Sequence, residues 1–181
     1  MIAIAAILLG QSKAGLILAG AKGQLVHPAQ YTPGYFFIGY PGGDLPASKG
    51  VCTDVVVRSF RHAGYDLQVM VHEDMKRHLL SYPRHGAKAD PNIDHRRVPN
   101  LVHYLSKYGK RLTIAVTPAT LPAWHAGDVV FWILPNGLDH CGVVSDRKDA
   151  KGIPLVIHNI SQTAEEDVLC TWKIVGHYRY P

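Results

Sequence analysis

The hydrophobic pattern of this chain changes period along its length. Between residues 50 and 110, apolar positions recur three and four residues apart, the spacing that gathers them on one face of a helix. Val55, Val56, Ser59, Phe60 and Ala63 make the first such stripe, and Gly64 supplies a stop. Asp66 is placed to cap a second helix through Leu67, Met70, Val71, Met75 and Leu79, which breaks before Pro83. Pro99 suits the first turn of a third helix carrying Leu101, Val102 and Leu105, with Gly109 as its stop. From Gly127 onward the apolar residues come instead in short runs between turn residues. The run from Val129 to Leu134 ends at Pro135-Asn136-Gly137, and Lys151-Gly152 marks a later turn. Further runs occupy 141–145, 155–160, 168–172 and 174–180. Successive strands joined by short turns predict an antiparallel meander. Helices first and strands second predict an α+β fold, with the helices packed on a C-terminal antiparallel sheet.

Two stretches stand outside this scheme. Residues 28–50 hold many Pro, Gly and aromatic residues, a composition of an ordered loop rather than a flexible linker. Within residues 1–27, Met1–Leu9 and Gly15–Ala21 are apolar with Gln11-Ser12-Lys13 between them, and the segment admits a signal remnant, an N-terminal helix of the domain, or both joined. A secretory signal carries its basic residues ahead of the apolar core, whereas Lys13 follows it. The run is too short and interrupted to span a bilayer, so no stable membrane insertion is expected. The remaining residues, 28–181, suit one domain.

The formal charge of +5 favours anionic partners. The basic residues are dispersed, as Arg58/Arg61, Lys76-Arg77, Arg96-Arg97 and Lys148/Lys151, with acids between them. That is a solvated face rather than a nucleic-acid groove, and no nucleic-acid partner is expected. Three cysteines are too few for a disulfide framework, and without a CxxC pair no zinc site is expected. No metal or cofactor is called for. Cys141 and Cys170 both fall in strand-like runs, as buried thiols or as a disulfide that would leave Cys52 as the reactive one.

Cys52 is the first candidate for chemistry. It stands where the loop gives way to the first helical stripe, near the positive end of a helix dipole, which lowers a thiol's pKa. His140 and His158 lie far downstream, each in a strand-like run. One cysteine with distant histidines is the arrangement of a thiol hydrolase before folding brings its parts together. Histidine takes a proton and returns it near neutral pH, which assigns His140 as base. His158 is placed to accept the second ring N–H of His140 and orient it. Asn159, its neighbour, points to the opposite strand face and takes that role only if His158 faces away. Asp54 suits a helix cap. His72-Glu73 lacks the second histidine of a zincin helix. In His95-Arg96-Arg97, Arg96 is a candidate for holding an anionic substrate group, or a member of an ion-pair network with Asp90 and Asp94.

A helix led by Cys52, a Gly-Asp-Val-Val-Phe strand, a His-x-Gly-Val-Val strand and then Val-Ile-His resembles the NlpC/P60 branch of papain-like cysteine peptidases. More closely, Tyr40-Pro-Gly-Gly-Asp44, Gly50-Val-Cys-Thr-Asp54, His72-Glu-Asp-Met75, the block from Asp90 to Asn100, His158-Asn159 and Gly176-His-Tyr-Arg-Tyr180 are similar to the DUF1287 family. The resemblance implies a papain-like fold and a cysteine amidase or endopeptidase acting on peptidoglycan peptides in the periplasm or cell envelope, through a thioester acyl-enzyme. It implies Cys52, His140 and His158 as catalytic residues. It also implies Tyr40, twelve residues before Cys52, as an oxyanion donor beside the Cys52 N–H. Val51-Cys52-Thr53 departs from the usual Asp-Cys-Ser, and Tyr40 is followed by Pro41; both departures bear on substrate choice. Other outcomes are an acyltransferase or deamidase on the same scaffold, a non-catalytic envelope-binding domain, or a histidine-rich metal binder.

Overall fold

The computed structural model describes residues 12–180. Four α-helices lie among them: α1 (Lys13–Gly23), α2 (Cys52–His62), α3 (Leu67–His78) and α4 (Val98–Tyr108). The last three are those expected from the apolar stripes. The Asp66 side chain accepts from Gln68 N at 3.1 Å to start α3. Pro99 sits in the first turn of α4 and Gly109 follows its end.

The first helix lies within the N-terminal segment set apart by the sequence. Ser12 caps α1 by accepting from Gly15 N at 3.2 Å. Ile17 and Ala21 on α1 are fully buried. Gly20 lies so close to α2 that a Cβ there would stand 2.9 Å from Ser59 Cα and O. Thus α1 belongs to the same core as the rest. Residues 1–11, and with them the signal reading, lie outside the described residues.

Two short strands, β1 (Gln30–Tyr31) and β2 (Lys49–Gly50), pair in parallel. The main sheet comprises β3 (Lys110–Arg111), β4 (Val129–Ile133), β5 (Asp139–Lys148), β6 (Pro154–Asn159), β7 (Thr163–Glu166) and β8 (Lys173–Arg179). Its order is β3-β8-β4-β5-β6-β7, antiparallel throughout. The chain is therefore α+β. The meander holds from β4 to β7, but β8 crosses back to pair with β4 on its other side. The strand expected over 168–172 is a turn, and the strand lies earlier, at Thr163–Glu166. The apolar residues of that turn serve packing instead: Leu169 is fully buried and Trp172 packs beside it. β7 is an edge strand and carries the polar sequence Thr-Ala-Glu-Glu.

Alternation along the strands divides the sheet's side chains between two cores. Phe131, Cys141, Val143 and Ile157 face the helices and meet Val55, Val56, Phe60, Leu101 and Leu105. Val130, Trp132, Val144 and Val156 face the other way, under Trp124 and Leu169. Each such side chain contributes about 1.5–3 kcal/mol on burial. No helix among the described residues is long and apolar enough to cross a membrane.

Candidate active site

Cys52 opens α2 and is 7% exposed. Asp54 fixes this end of the helix: its Oδ2 accepts from Val51 N at 2.8 Å, as a residue at the third helical position does in a capping box. The Cys52 N–H is among the first-turn donors that have no intrahelical acceptor.

The start of β5 meets Cys52 with two residues at once. Val144 N donates to Asp128 O at 2.8 Å and Val144 O accepts from Gly127 N at 2.9 Å, so the even residues of β5 bond toward β4. The odd residues turn their backbone groups toward β6. Pairing with β6 begins only at Gly142↔His158, which leaves the Cys141 N–H ahead of the ladder. That N–H and the Cys141 thiol both donate to Cys52 Sγ. The Cys141 thiol is the largest influence on the Cys52 pKa; burial opposes it, and His140 adds a hydrogen bond and its charge. The outcome is a thiol lowered to about 5, a thiolate at neutral pH. Burial and the adjacent Cys52 charge hold the Cys141 proton in place. All three cysteines are free, with Cys170 exposed, so the disulfide considered between Cys141 and Cys170 is not formed.

His140 and His158 lie on the opposite face of the sheet from Cys141, in contact with each other. His140 Nε2 is 2.9 Å from His158 Nδ1, which leaves His140 Nδ1 as the nitrogen for Cys52. Trp132 stacks on His140 at 5.7 Å, and Trp172 meets both imidazoles edge-on at 5.5 and 5.8 Å. Gly142 permits the approach of β6: a Cβ there would stand 2.6 Å from Val156 Cγ1 and 2.9 Å from Ile157 O. Burial, with the neighbouring His140 charge, pushes His158 down to about 4. A neutral His158 that accepts at Nδ1 carries its proton on Nε2. Glu166 Oε2 on β7 is 2.9 Å from that nitrogen. It lies off the ring N–H direction, so the contact with the neutral imidazole is close but not an aligned hydrogen bond. A row of side chains in contact thus runs from Cys52 through His140 and His158 to Glu166. Sequence reasoning missed its two flanking members, Cys141 and Glu166.

Three expectations need correction or closing. Tyr40 does not line the cavity at Cys52; its hydroxyl donates to Glu73 Oε1 at 2.9 Å and its ring packs on His72. The tyrosine beside Cys52 is Tyr31, which lines that cavity and whose hydroxyl is held protonated by burial and by the Cys52 charge. Tyr31 is placed by its pairing with Gly50 and by donation of its N–H to Ser161 O at 2.8 Å. Arg96 does border the cavity, but its guanidinium is taken by Asp54, at 2.9 and 3.0 Å, and by Gly34 O at 3.1 Å. Its partner is neither Asp90 nor Asp94. Asn159, as alternation requires, faces away and donates to Ala29 O at 2.9 Å. No group of three His, Cys, Asp or Glu among the described residues is arranged to hold a metal ion.

Residues 18–180 match the family model described as "Domain of unknown function (DUF1287)". The chain is 48% identical over 174 residues to "Uncharacterized protein YijF" of Escherichia coli (strain K12), covering 94% of this chain and 83% of that protein. No solved structure matches it. A helix-borne cysteine, two strand-borne histidines and the Asp90 to Asn100 block around them are therefore carried by a chain that belongs to the DUF1287 family.

Proposed function

We propose that this protein is a papain-like cysteine amidase or endopeptidase, akin to the NlpC/P60 enzymes, that cleaves peptides of the bacterial cell wall in the periplasm or envelope. The observation that carries the chemistry is the contact of Cys52 with His140 while His140 Nε2 lies 2.9 Å from His158 Nδ1. The positive net charge suits an acidic polymer such as cell wall, and the NlpC/P60 resemblance points to its peptides.

In this reading the Cys52 thiolate attacks the amide carbonyl carbon, forming the C–S bond as the carbonyl π electrons move onto oxygen. The Cys52 N–H and the Tyr31 hydroxyl receive that oxyanion. Collapse breaks the C–N bond, and His140 Nδ1–H protonates the departing amine. Water then gives a proton to His140 and attacks the thioester, releasing the acid and restoring the thiolate. His158 holds the His140 ring in orientation, and the Cys141 thiol keeps the resting charge on Cys52 solvated by protein rather than water. Intact-protein mass spectrometry of a rapidly quenched reaction with muropeptides tests the scheme. A mass increment on Cys52 equal to the acyl half of a cleaved peptide is expected; uncleaved muropeptides and unmodified Cys52 reject it.

Tyr31→Phe removes one oxyanion donor without changing the ring. It is expected to lower kcat about 100-fold and to move KM much less. Steady-state kinetics on a purified muropeptide measure it, and a fall below threefold removes Tyr31 from the oxyanion site.

A further inference from the structure

The fold brings two free cysteines into contact. Cys52 opens α2, and Cys141 stands at the start of β5, 89 residues later. The Cys141 thiol donates to Cys52 Sγ, and both side chains lie in the core between the helices and the sheet. Reagents reach the two unequally. Cys52 is 7% exposed and lines a cavity of about 380 Å³. Cys141 is fully buried and does not line that cavity.

A buried free cysteine is ordinarily a small apolar core residue. Cys141 differs in what it touches and in how its backbone is held. The first residue of β5 paired with β6 is Gly142, opposite His158, so Cys141 stands ahead of that ladder with its N–H turned to Cys52 Sγ. On its other side Cys141 lies opposite Phe131, while the bonds to β4 run through even residues such as Val144. Drawing the two sulfurs together to the covalent distance of about 2.05 Å therefore breaks no ladder bond at that N–H. Electrostatics act in the same sense. The proton on Cys141 is held by burial and by the adjacent Cys52 charge. A chemical change that discharges Cys52 removes the second of these holds.

We propose that Cys52 and Cys141 are a redox modification site: a peroxide oxidises Cys52, and Cys141 then closes a Cys52–Cys141 disulfide that blocks the nucleophile until a dithiol reduces it. In the first step the Cys52 sulfur attacks one peroxide oxygen. The S–O bond forms, the O–O bond breaks, and the sulfur is oxidised by two electrons. The departing hydroxide takes a proton from solvent and leaves as water. Cys52 is now a neutral sulfenic acid, so the Cys141 proton is held less firmly when it has to leave. In the second step the Cys141 sulfur attacks the Cys52 sulfur. The S–S bond forms, the S–O bond breaks, and hydroxide leaves with the Cys141 proton as a second water. Closure also spares Cys52 the irreversible sulfinic acid. The inference requires a reactive Cys52 but no amide hydrolysis, so it goes beyond the function proposed above.

The test uses the full chain carrying Cys170→Ser, which removes the exposed third thiol. The protein is treated with a slight excess of hydrogen peroxide at neutral pH, unfolded, alkylated with iodoacetamide and digested with trypsin. The peptides spanning residues 50–58 and 112–147 are expected as one disulfide-joined species, with neither cysteine alkylated. In the folded protein, labelling of Cys52 by iodoacetamide is expected to be lost after peroxide and regained after dithiothreitol. With Cys141→Ala added, peroxide is expected to carry Cys52 on to the sulfinic acid, and dithiothreitol no longer restores labelling. The joined peptide is read in protein that keeps Cys141, so the test does not depend on the folding of that variant. Cys52 recovered as sulfinic acid, with Cys141 alkylated after unfolding, overturns the inference and leaves Cys52 a nucleophile. So does a Cys52 sulfur bonded to the Cys141 backbone nitrogen, which leaves the Cys141 thiol to be alkylated, or a Cys52 that iodoacetamide labels and peroxide leaves unchanged. A Cys52 that neither reagent modifies overturns the nucleophile reading, and this inference with it.

Discussion

Replacing Cys52 with alanine is expected to reduce amide hydrolysis by about 10⁶-fold in kcat, to the level of the uncatalysed reaction plus binding. Removing the sulfur removes the covalent route altogether, since neither Cys141, which keeps its proton, nor Cys170, which is exposed and outside the cavity, can replace it. His140→Ala acts on the same unit and is expected to cost nearly as much, because residues that act together are not additive. Both variants are expected to keep the fold: Cys52 is a small side chain lining the cavity, and His140 contributes no ladder bond through its ring. Circular dichroism and thermal melting report the fold alongside the kinetics. In the unmodified protein the low thiol pKa means that the thiolate is present above about pH 5 and is lost below it. The acid limb of kcat/KM is therefore expected near 5 rather than near 8.5, the range of a free thiol. Hydrolysis undiminished in Cys52→Ala sinks the assignment.

The second large effect is on stability. Asp54→Ala is expected to destabilise the domain by about 3–5 kcal/mol, the usual cost of leaving one member of a buried ion pair alone. The two side chains are 4% and 2% exposed, so water cannot take over the charge of Arg96. The same change deprives Val51 N–H of its acceptor and loosens the start of α2, where Cys52 stands. Thr53 Oγ1, which donates to Arg96 O at 3.1 Å, is the remaining tie between these segments. Urea unfolding measures the change as a lower midpoint at unaltered slope. Asp54→Ala combined with Arg96→Met is expected to recover most of the loss, since an apolar pair avoids the stranded charge. A loss under 1 kcal/mol in the single variant shows that the pair is not what fixes this helix end.

The helices were legible in the sequence because their signals are local. Asp66, Gly64, Pro99 and Gly109 each act within a few residues of the end they define. Cys52, His140 and His158 were legible because their chemistry narrows the choice and strand alternation fixes their faces. The failures all concern long-range pairing. Tyr31 is brought to Cys52 by a two-residue parallel pairing with Lys49 and Gly50, which no count of residues back from Cys52 encodes. The NlpC/P60 resemblance implied Tyr40, which the fold sends to α3. Cys141 is the immediate neighbour of His140 and alternation places it on the other face. Both reach Cys52 at the start of β5, ahead of the first β6 pair at Gly142 and His158. Glu166 was hidden because the apolar run after it looked more like a strand than its own polar edge segment.

The residues that activate Cys52 arrive late along the chain. His140 and Cys141 lie 88 and 89 residues after it, and Tyr31 is held in place by Ser161. A chain made from its amino terminus exposes the thiol long before the strands that lower its pKa exist. Until β5 and β6 have paired against α2, Cys52 is an ordinary thiol, mostly protonated at neutral pH. Its reactivity is a property of the assembled sheet rather than of the cysteine. The distance in sequence that slows assembly also acts as a timer, keeping the nucleophile inert until a finished pocket surrounds it.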